Sequence, residues 1–429
     1  MSNPGLGEWT AAPRHGEPGR PAAGPARPAR QLALVRSTRA PAADPNHFMP
    51  GIEALRGIAV IAVLICHLWA LTTAPLIPGW QVVVGVGQWA VDVFFLLSGF
   101  LLVSYFWTDG PRRPSLRNFY VRRIFRIVPA YYLSLAVLFW FMADRAALFS
   151  DRGLRQVIAN VTFTQWLFPT TSTSLNVNGV YWTLSLEMAL YALLPLFAYA
   201  IAKRPVLAGA GLIGVCVAYR LYIALDAQPL QRLAFSAQQG TPESLMRLYL
   251  SRQFPGIMAI LVIGMLLRWW VNHRPFRSLQ GLSLGWLLLL LAPSVLLLVG
   301  IEFGNDFKHW AFFTGFDLWL CILLLPAVAY ASSDLSGSLT RSFHVLMWIG
   351  RRSYGIYLWH FPIILLAFGR GPFLRPADTS YFWFRVAGAV AVTLACGAIS
   401  FRFVEEPSRR LGRRLCKRRP AAVAAVPSA

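Results

Sequence analysis

One hydrophobic run in this chain carries two side chains that hydrocarbon would not hold without a reason. Residues 51–71 read GIEALRGIAVIAVLICHLWAL, with Arg56 near one end and His67 inside. On a helix, at about 100° per residue, the steps from Arg56 to His67 return to nearly the same face, and at ~1.5 Å rise they separate the two by ~16 Å. A cation at a membrane edge would then sit below an imidazole near half depth. Ionisable groups at that depth are costly, so they face a bundle interior and mark a functional site. Neutral imidazole is suited to taking a proton near neutral pH, which makes His67 a candidate general base. The plainer reading is that Arg56 snorkels to the interface and His67 is a satisfied helix contact.

Four further stretches add chemistry. In DVFFLLSGF, Asp92 could orient a base, while Ser98 and Gly99 allow close helix packing and Ser98 is also a possible acyl-accepting nucleophile. In VRRIFRIVP, Arg123 and Arg126 are spaced i, i+3 and would present two guanidinium forks on one face, a geometry that binds phosphate bidentately. In WTLSLEMALY, Glu187 falls about one turn inside an apolar helix, with Thr183 and Ser185 as local hydrogen-bonding groups; a structural ion pair is the alternative to catalysis there. SYGIYLWHFP brings Tyr354, Tyr357 and a second intramembrane histidine, His360. His273, His309 and His344 fall in loops or at helix ends and take no role.

These groups need helices to place them. Apolar runs near the ~20 residues required to span predict an all-α, polytopic membrane protein of about ten transmembrane helices. Their approximate ranges are 52–72, 82–106, 127–143, a span opening at VYWTLSLEM and closed by Lys203 and Arg204, 205–225, 254–270, 281–301, 314–331, 346–368 and 381–403. The segment QVIANVTFTQWLFP is too short to cross and reads as re-entrant or interfacial. Basic residues gather between alternate spans, with Arg112, Arg113, Arg117, Arg122, Arg123 and Arg126 in a loop expected to be cytoplasmic. The positive-inside bias then puts both termini and Arg56 on the inner side.

The composition fits. Of 429 residues, 56% are hydrophobic and only 14% charged, and the mean hydropathy is +0.51, whereas a soluble globule is nearer ~45–50% apolar. The net charge of +22 would suggest nucleic acid in a soluble protein. Here it follows from the inner loops, and no basic run is interleaved with stacking aromatics, so no nucleic-acid partner is expected. Cys66, Cys216, Cys321, Cys396 and Cys416 lie in apolar stretches or the basic tail without CxxC spacing, which indicates neither a disulfide framework nor a metal site. Residues 1–47, rich in Pro, Ala, Gly and Arg, lack an apolar signal core and read as a disordered cytoplasmic arm. A membrane domain over 48–410 and a basic cytoplasmic tail over 411–429 complete the expected division. No internal repeat of the kind that builds many transporters is evident.

Taken in order, GIEALRGIAVIAVLICH, DVFFLLSGFLL, RRIFRIVPAYY, WTLSLEMALYALLPL, SYGIYLWHFPI and FRFVEEP resemble the motifs of acyltransferase family 3, polytopic membrane enzymes that O-acylate surface glycans and some antibiotic sugars. The resemblance covers roughly residues 48–410. It implies a ten-helix core using a cytoplasmic acyl-CoA donor, acetyl-CoA first, and a sugar or glycan hydroxyl as acceptor, with the bilayer as surroundings and no bound cofactor. Position by position it implies His67 as catalytic base with Arg56 below it. It places the arginine motif on Arg123 and Arg126, the tryptophan-to-glutamate motif on Trp182, Ser185 and Glu187, and the remaining motif on Tyr354, Tyr357 and His360. Asp92 or Glu187 would orient the base, and transfer would be direct or through an acyl-enzyme on Ser98 or His67. Met188 stands where many relatives carry a second acidic residue, which counts against paired carboxylates, and the fused extracytoplasmic domain of some members is not evident. The rival expectation is a glycan or antibiotic exporter in which His67 and Glu187 relay protons.

Overall fold

In the computed structural model the described residues are 49–72, 80–107, 115–141, 145–167, 178–225, 249–273, 321, 324–325, 328, 343–368 and 381–416. The secondary structure among them is helical. The helices are α1 (Pro50–Leu71), α2 (Trp80–Leu102), α3 (Leu116–Phe141), α4 (Arg145–Leu148), α5 (Asp151–Val161), α6 (Trp182–Lys203), α7 (Pro205–Leu225), α8 (Phe254–His273), α9 (His344–Arg351), α10 (Ser353–Ala367), α11 (Phe382–Ser400) and α12 (Glu406–Cys416). Among the described residues six stretches are long and apolar enough to cross a membrane: α1, α3, α6, α7, α8 and the continuous run Phe382–Cys416. The expected spans at about 281–301 and 314–331 lie almost wholly outside the described residues.

Helix α8 is apolar all round and is buried along most of its length, as a helix at the centre of a bundle must be. It packs against α2 and α7, while α1 packs against α2, α9 and α10, and α10 against α11. By contrast α7 exposes Val206, Leu207, Val215 and Leu225, the surface a helix presents to lipid. Two crossings are made by reciprocal glycines. Gly99 of α2 lies against the backbone of Leu261 and Gly264 of α8 against that of Leu96. Gly57 of α1 and Gly350 of α9 meet Leu346 and Glu53 in the same way. Small residues at both members of a crossing let backbones approach closely.

Two elements differ from the sequence expectation. From Leu116 onward the arginine-rich stretch is helical rather than a loop, because α3 begins there, and Pro129 sits inside the helix instead of opening it. Arginine is a good helix former, and its charge says where a membrane ends, not where a helix does. The stretch expected to be one span over about 346–368 is broken at Arg352, so α9 ends and α10 restarts at Ser353. The short segment after α3 forms α5, an 11-residue helix that does not span, followed by turns. Gln156, Asn160 and Gln165 are buried there. At the other end of the chain α11 runs through a π-helical turn, Phe401–Glu405, into α12, which packs on α3.

Candidate active site

Five helices wall a cavity enclosing about 840 Å³, its open mouth included. Each offers the face that its periodicity dictates. From α3 come Arg123 and Arg126, one turn apart, and from α6 come Thr183, Glu187 and Tyr191, a single i, i+4, i+8 stripe. Helix α10 gives Ser353, Tyr354 and Tyr357, and α2 gives an apolar wall interrupted by Ser98. Arg56 of α1 closes the same end as the two α3 arginines.

Three guanidinium groups and one carboxylate therefore share the space. Arg56 is fixed from two sides: Nη1 is ion-paired with Glu53 at 3.2 Å, and Nη2 donates to Ser353 Oγ at 2.9 Å. Arg123 is less satisfied, since its Nε and Nη1 are buried without a hydrogen-bond partner among the described residues. Glu187 accepts a hydrogen bond from the Tyr191 hydroxyl. Tyr354 donates to the Ile127 carbonyl at 2.8 Å, tying α10 to α3 just beyond Arg126.

His67 and His360 are not part of the cavity lining; they sit behind it. Tyr357 connects the two regions, with its hydroxyl 2.8 Å from Thr183 Oγ1 and its ring centroid 5.5 Å from that of His360. His360 Nε2 lies 3.2 Å from His67 Nδ1, and His67 Nδ1 is also 3.0 Å from the Val63 carbonyl. His360 Nδ1 is 2.8 Å from the Tyr357 carbonyl. His360 is 1% exposed, whereas His67 is half-buried.

Other expected residues lie elsewhere. Asp92 is ion-paired with Arg252 at 2.7 Å, and among the described residues the hydrogen-bond partners of His67 are Val63 and His360, not Asp92 or Glu187. Ser185 is fully buried on the other side of α6, and Trp182 packs against the main apolar cluster, so neither lines the cavity. Conversely the structure adds Ser353, Tyr191, Arg252 and Glu405 to the polar groups of this region. Glu405, 1% exposed in the π-helical turn, is ion-paired with Arg409 at 3.3 Å and accepts from Ser400 Oγ at 3.4 Å. The adjacent carboxylates of FRFVEEP were the one signal for it. The arginines can hold an anion, and the histidine pair can hold or move a proton. Among the described residues no group of three His, Cys, Asp or Glu gathers at metal-ligand distance.

Residues 49–401 match the family described as an acyltransferase domain. The peptidoglycan O-acetyltransferase OatA of Listeria monocytogenes is 25% identical over 407 residues, 85% of this chain and 56% of the relative. The putative peptidoglycan O-acetyltransferase YrhL of Bacillus subtilis is 27% identical over 404 residues, 87% of this chain and 57% of the relative. The O-acetyltransferase OatA of Staphylococcus aureus is 25% identical over 380 residues, 85% of this chain and 58% of the relative. The chain thus spans somewhat more than half the length of these relatives. No solved structure matches it. Matched from residue 49 to residue 401, the chain belongs to acyltransferase family 3.

Proposed function

We propose that the chain is a membrane O-acetyltransferase that moves an acetyl group from acetyl-CoA to a sugar hydroxyl of a surface glycan. The observation that carries this reading is the cavity with Arg56, Arg123 and Arg126 at one end and Tyr357, backed by His360 and His67, in its wall. The buried Arg123 nitrogens without an acceptor among the described residues call for an anion with several oxygens, and the phosphates of coenzyme A supply them. The positive-inside bias sets the arginine end on the cytoplasmic side, where that donor is available. The ~16 Å between Arg56 and His67 is about the length of a pantetheine arm, so phosphates held below direct the thioester toward Tyr357 and the histidines behind it.

In this mechanism His67 takes the proton of the acceptor hydroxyl as its oxygen attacks the thioester carbonyl carbon. The C–O bond forms, the C–S bond breaks, and the coenzyme A thiolate leaves with the bonding pair and takes up the proton. The thiolate is a good leaving group, so positioning and a dry site supply much of the rate. Two relatives are named for peptidoglycan, which makes a wall-type glycan the first acceptor to test.

Membranes containing the full chain, incubated with radiolabelled acetyl-CoA and glycan acceptor, should transfer label to the glycan, and membranes carrying His67→Ala should not. Label transfer at the normal rate by His67→Ala would remove the base. Energy-dependent glycan flux with no label in the glycan would favour the exporter instead.

A further inference from the structure

A general base on this path needs a partner that fixes its orientation, and among the described residues no carboxylate performs that task. Asp92 is held by Arg252, and Glu187 by Tyr191 among the arginines. What meets His67 is another imidazole, brought in from α10 and 293 residues away in sequence.

Two carbonyls decide the direction of the bond between them. His360 Nδ1 faces the Tyr357 carbonyl at 2.8 Å, and His67 Nδ1 faces the Val63 carbonyl at 3.0 Å. A carbonyl oxygen only accepts, so both Nδ1 atoms carry hydrogen. His360 Nε2 is then a lone pair and shares the single His67 Nδ1 hydrogen with the Val63 carbonyl, at 3.2 and 3.0 Å. The opposite direction would set lone pairs against both carbonyls. A doubly protonated His360 would set N–H against N–H.

We propose that His360 is the positioning residue of the base: it holds His67 in the tautomer whose Nε2 bears the lone pair, and it accepts from the imidazolium that forms when Nε2 takes the hydroxyl proton. A neutral acceptor suits this depth, because a carboxylate would need its own buried counter-charge, as Asp92 has in Arg252. The Tyr357 carbonyl that fixes His360 belongs to a residue lining the cavity, so the donor site and the tautomer share one turn of α10. The inference rests on His67 acting as base.

The test uses the full chain in lipid with ¹⁵N-labelled histidine, the His67 signals being identified by their loss in His67→Gln. The nitrogen spectrum should show His67 as Nδ1–H in the parent and as a mixture of both tautomers in His360→Leu, because the Nδ1 hydrogen then keeps the Val63 carbonyl as acceptor and loses His360. His360→Leu should lower kcat for acetyl transfer by ~10²–10³-fold with the donor KM changed by less than about twofold, as expected for a misplaced proton acceptor. His360→Gln, whose amide oxygen can accept the same bond, should recover at least about tenfold of that loss. An unchanged His67 tautomer in His360→Leu, or equal losses in the Leu and Gln variants, would overturn the positioning role. A tautomer mixture with full turnover would instead overturn His67 as the base on which the role depends.

Discussion

Arg56 Nη2 donates to Ser353 Oγ at 2.9 Å, joining the second turn of α1 to the first residue of α10. The bond exists because the chain breaks at Arg352, which frees Ser353 to start a new helix facing the cavity. With Glu53 on its other side, the Arg56 guanidinium is aimed rather than merely present. A hydrogen bond to a charged group is worth about 1.5 kcal/mol or more. Ser353→Ala should therefore raise the acetyl-CoA KM about tenfold while kcat stays within about twofold, as read from initial rates. An unchanged KM would mean that Arg56 needs no such aiming.

The Asp92–Arg252 pair predicts a different kind of loss. Asp92 is fully buried and its partner comes from just before α8, so the pair clamps α2 to that end of the bundle. Removing one member of a buried ion pair costs about 3–5 kcal/mol, because a buried charge is left behind. Asp92→Asn should melt well below the parent in a thermal assay in detergent, yet the folded fraction should keep its kcat. A lost kcat with an unchanged melting curve would return Asp92 to the chemistry expected of it from sequence.

The reciprocal glycines of α2 and α8 supply a packing test with its own control. A methyl group at Gly99 or Gly264 would strike the opposing backbone, which cannot rotate away as a side chain can. Gly99→Ala should cost about 1–3 kcal/mol by forcing the helices apart. At Gly211 on α7 nothing lies within 4 Å of a built Cβ, so Gly211→Ala should be neutral or stabilise by up to ~1 kcal/mol. Equal melting temperatures for the two variants would contradict the close crossing.

What the sequence made legible is whatever depends on one helix at a time. The α7 bounds fall where an apolar run ends, and Arg123 with Arg126 share a face because i, i+3 spacing requires it once the stretch is helical. Pairings across hundreds of residues carry no such periodicity. Nothing in DVFFLLSGF specifies Arg252, which falls between the spans expected at 205–225 and 254–270, and nothing near His67 specifies His360 beyond both being polar groups in apolar helices. The break at Arg352 was hidden too, because the hydropathy of the surrounding stretch continues across it.

The arginine cavity makes its sharpest prediction through two substitutions of opposite sign. Arg123 and Arg126 face the space with Arg56, and two nitrogens of Arg123 have no acceptor among the described residues. Replacing both by Gln should raise the acetyl-CoA KM by ~10–100-fold, since charge-assisted bonds to phosphate are lost while the distant thioester chemistry is not. Glu187 stands in the same wall as a carboxylate and repels an incoming phosphate. Glu187→Gln removes that repulsion and keeps an oxygen to accept from Tyr191, so the donor KM should fall by about two- to fivefold. Measured side by side at fixed ionic strength, the two variants should move KM in opposite directions. If Glu187→Gln raised KM as the arginine variant does, Glu187 would be holding the guanidinium groups in place, and its charge would aid donor binding rather than oppose it.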